Sequence, residues 1–380
     1  MPFPLEEHTI FLTLAGSHAH GTARDGSDVD LRGVCIAPLR QRVSLFESFE
    51  QFEGDLPHGL RSRISETLGS HPTAGPSRAE KVECVVYDIA KLVQLCSVAN
   101  PNALEILFAE EGDWLIETPA WRRLHRQRSL FLTRRVRQTF SGYAMAQLKR
   151  IRTHRAWLLD PPKRKPMRED FGLLASSSGL SRDDQNRLEK SLHEKIRAYG
   201  IDEIELPKSL RIALKERVDE LHRDVLQTDE AGAEDRWRAV AARSMSLAPE
   251  TLATLNAERR YRSALKHWEA FQSWQRERNE KRAALEREHG YDTKHAMHLV
   301  RLMRMGLEAL RSGSLQVRRS DAAELSAIRD GRWSFDELVS IAGSLQREME
   351  AAEASSPLPL DIDRDRIDAL TYALIVEPTS

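Results

Sequence analysis

The chain has little cysteine: three thiols in 380 residues. Cys35, Cys84 and Cys96 share no Cys-x-x-Cys spacing, which excludes a disulfide framework and a zinc ribbon. No apolar run approaches the ~18 residues of a membrane span. The opening Met-Pro-Phe-Pro-Leu-Glu-Glu carries no basic-then-apolar signal pattern. The expectation is a cytoplasmic protein with no membrane partner. No heptad is sustained and no internal repeat is visible, which sets aside coiled coils and solenoids. A net charge of −1 gives neither sign an overall excess. That balance hides an asymmetry, because residues 122–168 hold fifteen Lys or Arg and one acid, Asp160, which leaves the rest of the chain at −15. Such a segment attracts polyphosphate or a nucleic-acid backbone, which is the expected reading; pairing of its side chains with the acidic remainder is the alternative.

With 41% hydrophobic and 30% charged residues the composition is that of an ordinary folded chain, long enough for two or three cores. The run Thr9-Ile-Phe-Leu-Thr-Leu-Ala15 reads as a buried strand that ends at Gly16. Glycine lets backbone approach a ligand closely, and a short helix after it turns free N–H groups toward an anion. Ser17 adds a hydroxyl donor. Further on, Asp28 and Asp30 alternate with Val29 and Leu31, and a period of two puts both carboxylates on one strand face. Two hard oxygen donors there suit magnesium, with manganese as a possible substitute, and two ions roughly 3.5–4 Å apart assist phosphoryl chemistry. A third carboxylate normally completes such a pair. Glu83 is the candidate, because Lys81-Val-Glu-Cys-Val-Val-Tyr87 reads as another strand; Glu80 and Asp88 are rivals.

Gly16, Ser17, Asp28 and Asp30 resemble the Gly-Ser…Asp-x-Asp signature of the DNA polymerase β-like nucleotidyltransferase superfamily. The wider context Gly-Ser-His-Ala-His-Gly-Thr and Ser-Asp-Val-Asp-Leu-Arg-Gly-Val is similar to its RNA-ligase-associated predicted branch. So are Val85-Val-Tyr-Asp-Ile-Ala-Lys-Leu, Ala99-Asn-Pro-Asn-Ala-Leu-Glu-Ile-Leu-Phe108 and Gly290-Tyr-Asp-Thr-Lys-His-Ala-Met-His-Leu-Val-Arg-Leu302, so the likeness is spread over residues 9–333. The chain departs from that branch at His20, where an aromatic such as Tyr is usual, and at Glu83, where Asp is commoner. The resemblance implies an α+β fold: a small mixed-sheet nucleotidyltransferase palm over residues 1–118, then a mainly helical domain over 119–380. Ser27 joins Gly16 and Ser17 as an expected nucleotide contact.

Within the palm, strands are expected at 9–15, 28–37 and 82–87, followed by a helix over 89–96. Residues 53–80, rich in Gly, Pro, Ser and charge, read as a long hairpin excursion. Asn100 and Pro101 have the chemistry of a helix start, which makes Glu105 structural rather than catalytic. Beyond residue 119 the basic stretch contains an expected helix over 141–159, with Tyr143, Gln147, Arg150 and His154 on one face. Arg150, Arg152, Lys163, Arg164 and Lys165 are its candidate RNA contacts. Further helices are expected over 210–226 and 257–289, the latter with Tyr261, Leu265, Trp268 and Phe271 as a packing stripe. Residues 292–311 form a nucleotide-facing helix capped by Asp292 or Thr293, with Lys294, His298 and Arg301 at helical spacing as phosphate donors. Residues 355–360 read as a linker before a docking helix built on Ile367, Leu370, Leu374 and Ile375.

The expected reaction is metal-dependent transfer of a nucleoside monophosphate from an NTP to an acceptor hydroxyl, most simply at an RNA or tRNA end. Adenylylation of a protein or small molecule is the second reading, and an inactive RNA-binding module the third.

Overall fold

The computed structural model describes residues 3–72, 82–175, 248–278 and 280–376, with scattered helical positions between 183 and 194. Its five strands are β1 (Thr9–Ala15), β2 (Val29–Cys35), β3 (Gln51–Asp55), β4 (Val82–Asp88) and β5 (Trp114–Glu117). They form one sheet in the order β3-β4-β2-β1-β5. Only β2 and β4 run parallel; the other pairs are antiparallel.

The helices are α1 (Leu5–His8), α2 (Gly16–His20), α3 (Leu39–Val43), α4 (His58–Ser70), α5 (Ile89–Ser97), α6 (Pro101–Leu107), α7 (Pro119–His125) and α8 (Val136–Leu159). There follow α9 (Pro249–Glu277), α10 (Glu280–His289), α11 (Thr293–Ser312), α12 (Ala322–Arg329), α13 (Phe335–Ala354) and α14 (Arg364–Val376). A mixed sheet followed by helices is the α+β arrangement the sequence implied. Contacts group the chain into two units, Met1–Asp160 with Asn279–Ser380, and Pro161–Arg278. The sheet therefore shares its unit with α8 and with all helices from α10 onward.

Strand periodicity divides the sheet into two unlike faces. Leu12, Leu14, Leu31, Cys84 and Val86 form one core with Leu60, Ile64 and Leu68 of α4. The described part of residues 53–80 thus differs from the expected hairpin: residues 53–55 finish β3, which pairs with β4, and His58–Ser70 form a 13-residue helix, while residues 73–80 lie outside the described residues. Three apolar residues at four-residue spacing suffice for that helix once the sheet offers a surface. The other face is apolar only at one end, where Phe11 and Val34 enter the larger helical core and Phe11 stacks on Trp121 at 3.7 Å. Toward the opposite end of that face β1, β2, β4 and β3 present a row Ala15–Asp30–Glu83–Asp55 and, two residues on, Thr13–Arg32–Val85–Glu53.

Helix ends follow local chemistry. Asp88 caps α5, accepting from Ala90 N at 2.9 Å, and Asn100 caps α6, accepting from Asn102 N at 3.0 Å with Pro101 in the first turn. For α11 the cap is Asp292, which accepts from His295 N at 3.0 Å, while the Thr293 hydroxyl donates to Arg329 O at 2.7 Å. Gly306 lets α8 and α13 approach α11: a Cβ there would sit 2.9 Å from Phe140 Cβ and 2.8 Å from Met349 Cε. Helix α14 buries Ile367, Leu370 and Leu374, as expected. The segment before it is no free linker, because Arg134 donates to Ser356 O at 2.9 Å and to Leu358 O at 3.0 Å.

In the second unit the helix expected over 257–289 starts earlier and breaks at Arg278, whose φ −72° and ψ 117° are extended. Tyr261 packs edge-on to Phe171 at 5.8 Å beneath the Arg168 guanidinium, which pairs with the buried Glu258. The stripe is packing, with Phe271 its buried member. The helix expected over 210–226 lies outside the described residues. No helix among those described is long and apolar enough to cross a membrane.

Candidate active site

Strand β1 delivers Gly16 to the end of the sheet, where the chain turns into α2 with Gly16 at φ +59°, a left-handed conformation that favours glycine. A Cβ at this position would collide with the Asp30 carboxylate, so the turn lies directly against that side chain. Ala15 is the register partner of Asp30 across β1 and β2. The loop between α2 and β2 is held from outside: Arg24 forms a two-point ion pair with Asp330 at 2.7 and 2.8 Å and donates to Ser326 O at 3.1 Å. Ser27 closes it, its hydroxyl accepting from Arg24 N at 2.9 Å.

Gly16, Ser17, Ser27, Asp28 and Asp30 line one cavity of about 830 Å³, with Lys294 and His298 of α11 opposite. Both aspartates therefore face one space. Glu83 is the register partner of Asp30 on β4, but it is not in that cavity's lining. The three carboxylates do not close to within 4.8 Å of one another. Asp28 just before β2, Asp30 on β2 and Glu83 on the adjacent β4 are hard oxygen donors of the kind a divalent cation takes, and the absent side chain at Gly16 leaves the space in which the Asp30 carboxylate sits.

The rivals for the third carboxylate fall out differently. Asp88 is buried at the far end of β4, where it caps α5, accepts from Ala37 N at 3.2 Å and pairs with Arg42 at 2.5 Å. Burial raises its carboxyl above the usual range, against the pull of Arg42. Glu80 lies outside the described residues. Asp55, which the sequence reading passed over, is the register partner of Glu83 on β3. Two residues on from Asp30 the same strand face carries Arg32, and four residues on from Glu83 it carries Tyr87, both missed although the period of two marks them.

The three basic residues of α11 are placed unequally. Lys294 is exposed and lines the cavity. Burial, reinforced by Arg301, pushes His298 well below the usual imidazole range, so at neutral pH it offers a neutral N–H rather than a charge. Arg301 is buried and its guanidinium is held by Glu105, which also accepts from His20 Nε2 at 3.1 Å. Burial pushes the Glu105 carboxyl up, but Arg301 and His20 overcome it and hold the group far below the carboxylate range. Glu105 is thus a structural anion, as its place behind an N-cap suggested. Arg301 is spent largely on that pair.

A second cavity of about 560 Å³ shares Gly16, Lys294 and His298 with the first and is lined by Arg32, Tyr87, Tyr143, Gln147 and Arg150. Arg150 is exposed and donates to His295 Nε2 at 3.1 Å. Arginine can only donate, so the proton of His295 is on Nδ1, which meets the buried Asp292 carboxylate at 2.5 Å. With His154, whose Nδ1 is 3.8 Å from Asp292, these residues form a compact cluster. Of the other expected RNA contacts, Arg152 is exposed on α8. Lys163, Arg164 and Lys165 are exposed in the second unit, with Arg164 in a two-point pair with Asp170 at 2.9 and 2.6 Å. Part of the basic segment is thus internally paired, Arg137 with Glu353 included.

The turn, the aspartates and the strand bearing Glu83 all fall in the first 159 residues. Residues 5–159 match the RNA repair pathway DNA polymerase beta family, RlaP. The RlaP match covers the whole sheet and ends with α8. It stops short of α11, which brings Lys294 and His298 to the same cavity. No curated protein and no solved structure matches the chain.

Proposed function

We propose that the chain transfers a nucleoside monophosphate from an NTP to a hydroxyl at an RNA end. The observation that carries this reading is the single cavity shared by Asp28, Asp30, the Gly16–Ser17 turn and Lys294. The acceptor hydroxyl gives up its proton to solvent, its oxygen attacks the α-phosphorus in line, an O–P bond forms, the bond to the β-phosphate oxygen breaks, and pyrophosphate leaves. The turn at Gly16 and Ser17 supplies N–H and hydroxyl donors to the β- and γ-phosphates, and the exposed Lys294 ammonium neutralises charge on the leaving group. Neutral His298 gives a hydrogen bond there without titrating at pH 7. Asp28 and Asp30 would hold magnesium or manganese, with Glu83 beside them on the acceptor side. When bound, that ion neutralises phosphate charge and eases deprotonation of the attacking hydroxyl. Positioning and charge complementarity account for the rate.

The test is incubation with each of four α-labelled NTPs, magnesium and total RNA, followed by gel and mass analysis. Label on RNA is the expected result. Label on the protein or on a small molecule moves the acceptor to the adenylylation reading, and no label in any fraction leaves an RNA-binding module without turnover.

A further inference from the structure

We propose that the 560 Å³ cavity is the subsite for the terminal nucleotide of a single-stranded RNA acceptor, with Arg150 on its backbone phosphate and the Asp292–His295 pair as the positioning device for Arg150. This rests on the transfer reading above.

Place in the fold is the first argument. The cavity adjoins the acidic one through Gly16, Lys294 and His298, and its floor is the strand row Arg32–Val85–Glu53, two residues from Asp30–Glu83–Asp55. Two strand residues span roughly 7 Å, so a group bound there ends next to the carboxylates. Ser17, Ser27, Asp28 and Asp30 line only the larger cavity, which assigns that one to the donor. The smaller one is left to the other reactant, and its size suits a small ligand rather than a duplex.

Lining chemistry is the second. Arg32, Arg150, Lys294 and Arg301 face Glu53 and Glu105, an excess of positive charge that matches a phosphodiester. Two tyrosines, Tyr87 and Tyr143, provide the aromatic faces on which splayed bases stack. The Tyr143 hydroxyl accepts from Asn100 Nδ2 at 2.8 Å, and the Asn100 carbonyl is fixed as the cap of α6, so this ring is anchored from its far end.

The third is the state of Arg150. An exposed arginine samples many rotamers, yet this one donates to His295 Nε2, and His295 is locked by its own donation to the fully buried Asp292. The bond uses one of five guanidinium N–H donors, so ordering costs little of the fork that recognises phosphate. The cation on Nε2 also argues against His154, Asp292 and His295 as metal ligands.

The experiment is fluorescence anisotropy of a 5′-labelled single-stranded oligoribonucleotide on the full chain, magnesium-free, across a salt series, with binding of each NTP measured in parallel. R150Q is expected to weaken RNA binding roughly tenfold and to lower the salt slope by about one, with NTP affinity unchanged. H295F should reproduce the loss and raise the acceptor KM without changing the NTP KM, and H295Q, which keeps an acceptor atom, should restore much of it. Equal RNA affinity in R150Q and wild type, or a loss of NTP affinity as large as that of RNA, overturns the assignment. Stoichiometric zinc binding abolished by H295F overturns the positioning role. RNA binding without any turnover would refute transfer and leave the subsite standing; turnover on a protein without RNA binding would do the reverse.

Discussion

At Gly16 one missing side chain meets two demands. The residue holds φ +59°, which costs an L-residue about 1–2 kcal/mol, and it leaves space that the Asp30 carboxylate occupies. G16A is therefore expected to lower the unfolding midpoint by only a few degrees while cutting transfer about 100-fold, because the intruding methyl displaces a carboxylate that must be placed to within an ångström. Paired thermal melts and rate measurements check this; full activity in G16A would mean that Asp30 need not stay where it is. Such residue-scale placement was partly legible in the sequence: alternation along β2 sets the face of Asp30, whereas Asp28 lies one residue before that strand and Gly16–Ser17 open α2 after β1. The sequence ranked Glu83 ahead of Asp88 but could not separate them, because the register between β2 and β4, which pairs Glu83 with Asp30, depends on side-chain packing far from either residue.

Helix α11 carries two charged groups with opposite fates at a spacing of seven residues. Lys294 reaches the cavity, whereas Arg301 is buried against Glu105, an element-scale tie between α11 and α6. Removing one partner of a buried pair strands the other charge, so R301M is expected to destabilise by about 3–5 kcal/mol in urea unfolding, and the double variant E105M/R301M to recover part of that loss. A single-variant cost under about 1 kcal/mol would show that the pair is solvated. Helical periodicity located α11 and its polar face correctly, but it could not tell an exposed cation from a buried one, which depends on what α6 brings opposite. The reverse failure occurred at α4, where Leu60, Ile64 and Leu68 lie among Gly, Ser and Arg and the helix is stable only because the sheet's apolar face receives them.

Across the whole molecule, burial shapes the response to acid. His18, His20, His125 and His298 are all held below the usual imidazole range, His125 at about 4, with burial the main cause for each. As pH falls below about 6.5 the unfolded chain takes up protons that the folded chain refuses, so stability drops; Glu105 adds to the loss below about 4.5. The raised carboxyls of Asp88 and Asp113 act in the opposite sense, but only near the acid end. The urea midpoint should therefore fall between pH 7 and pH 5, and a flat or rising midpoint would contradict these burial assignments. The central claim, that Asp28 and Asp30 face a phosphate turn in order to transfer a nucleotide, has a more direct measurement. Parallel reactions with α-labelled and γ-labelled NTP should place label on the acceptor from the α position alone, and D28N or D30N should abolish it while remaining folded. Transfer of the γ label, or undiminished α-label transfer by either variant, would contradict the account.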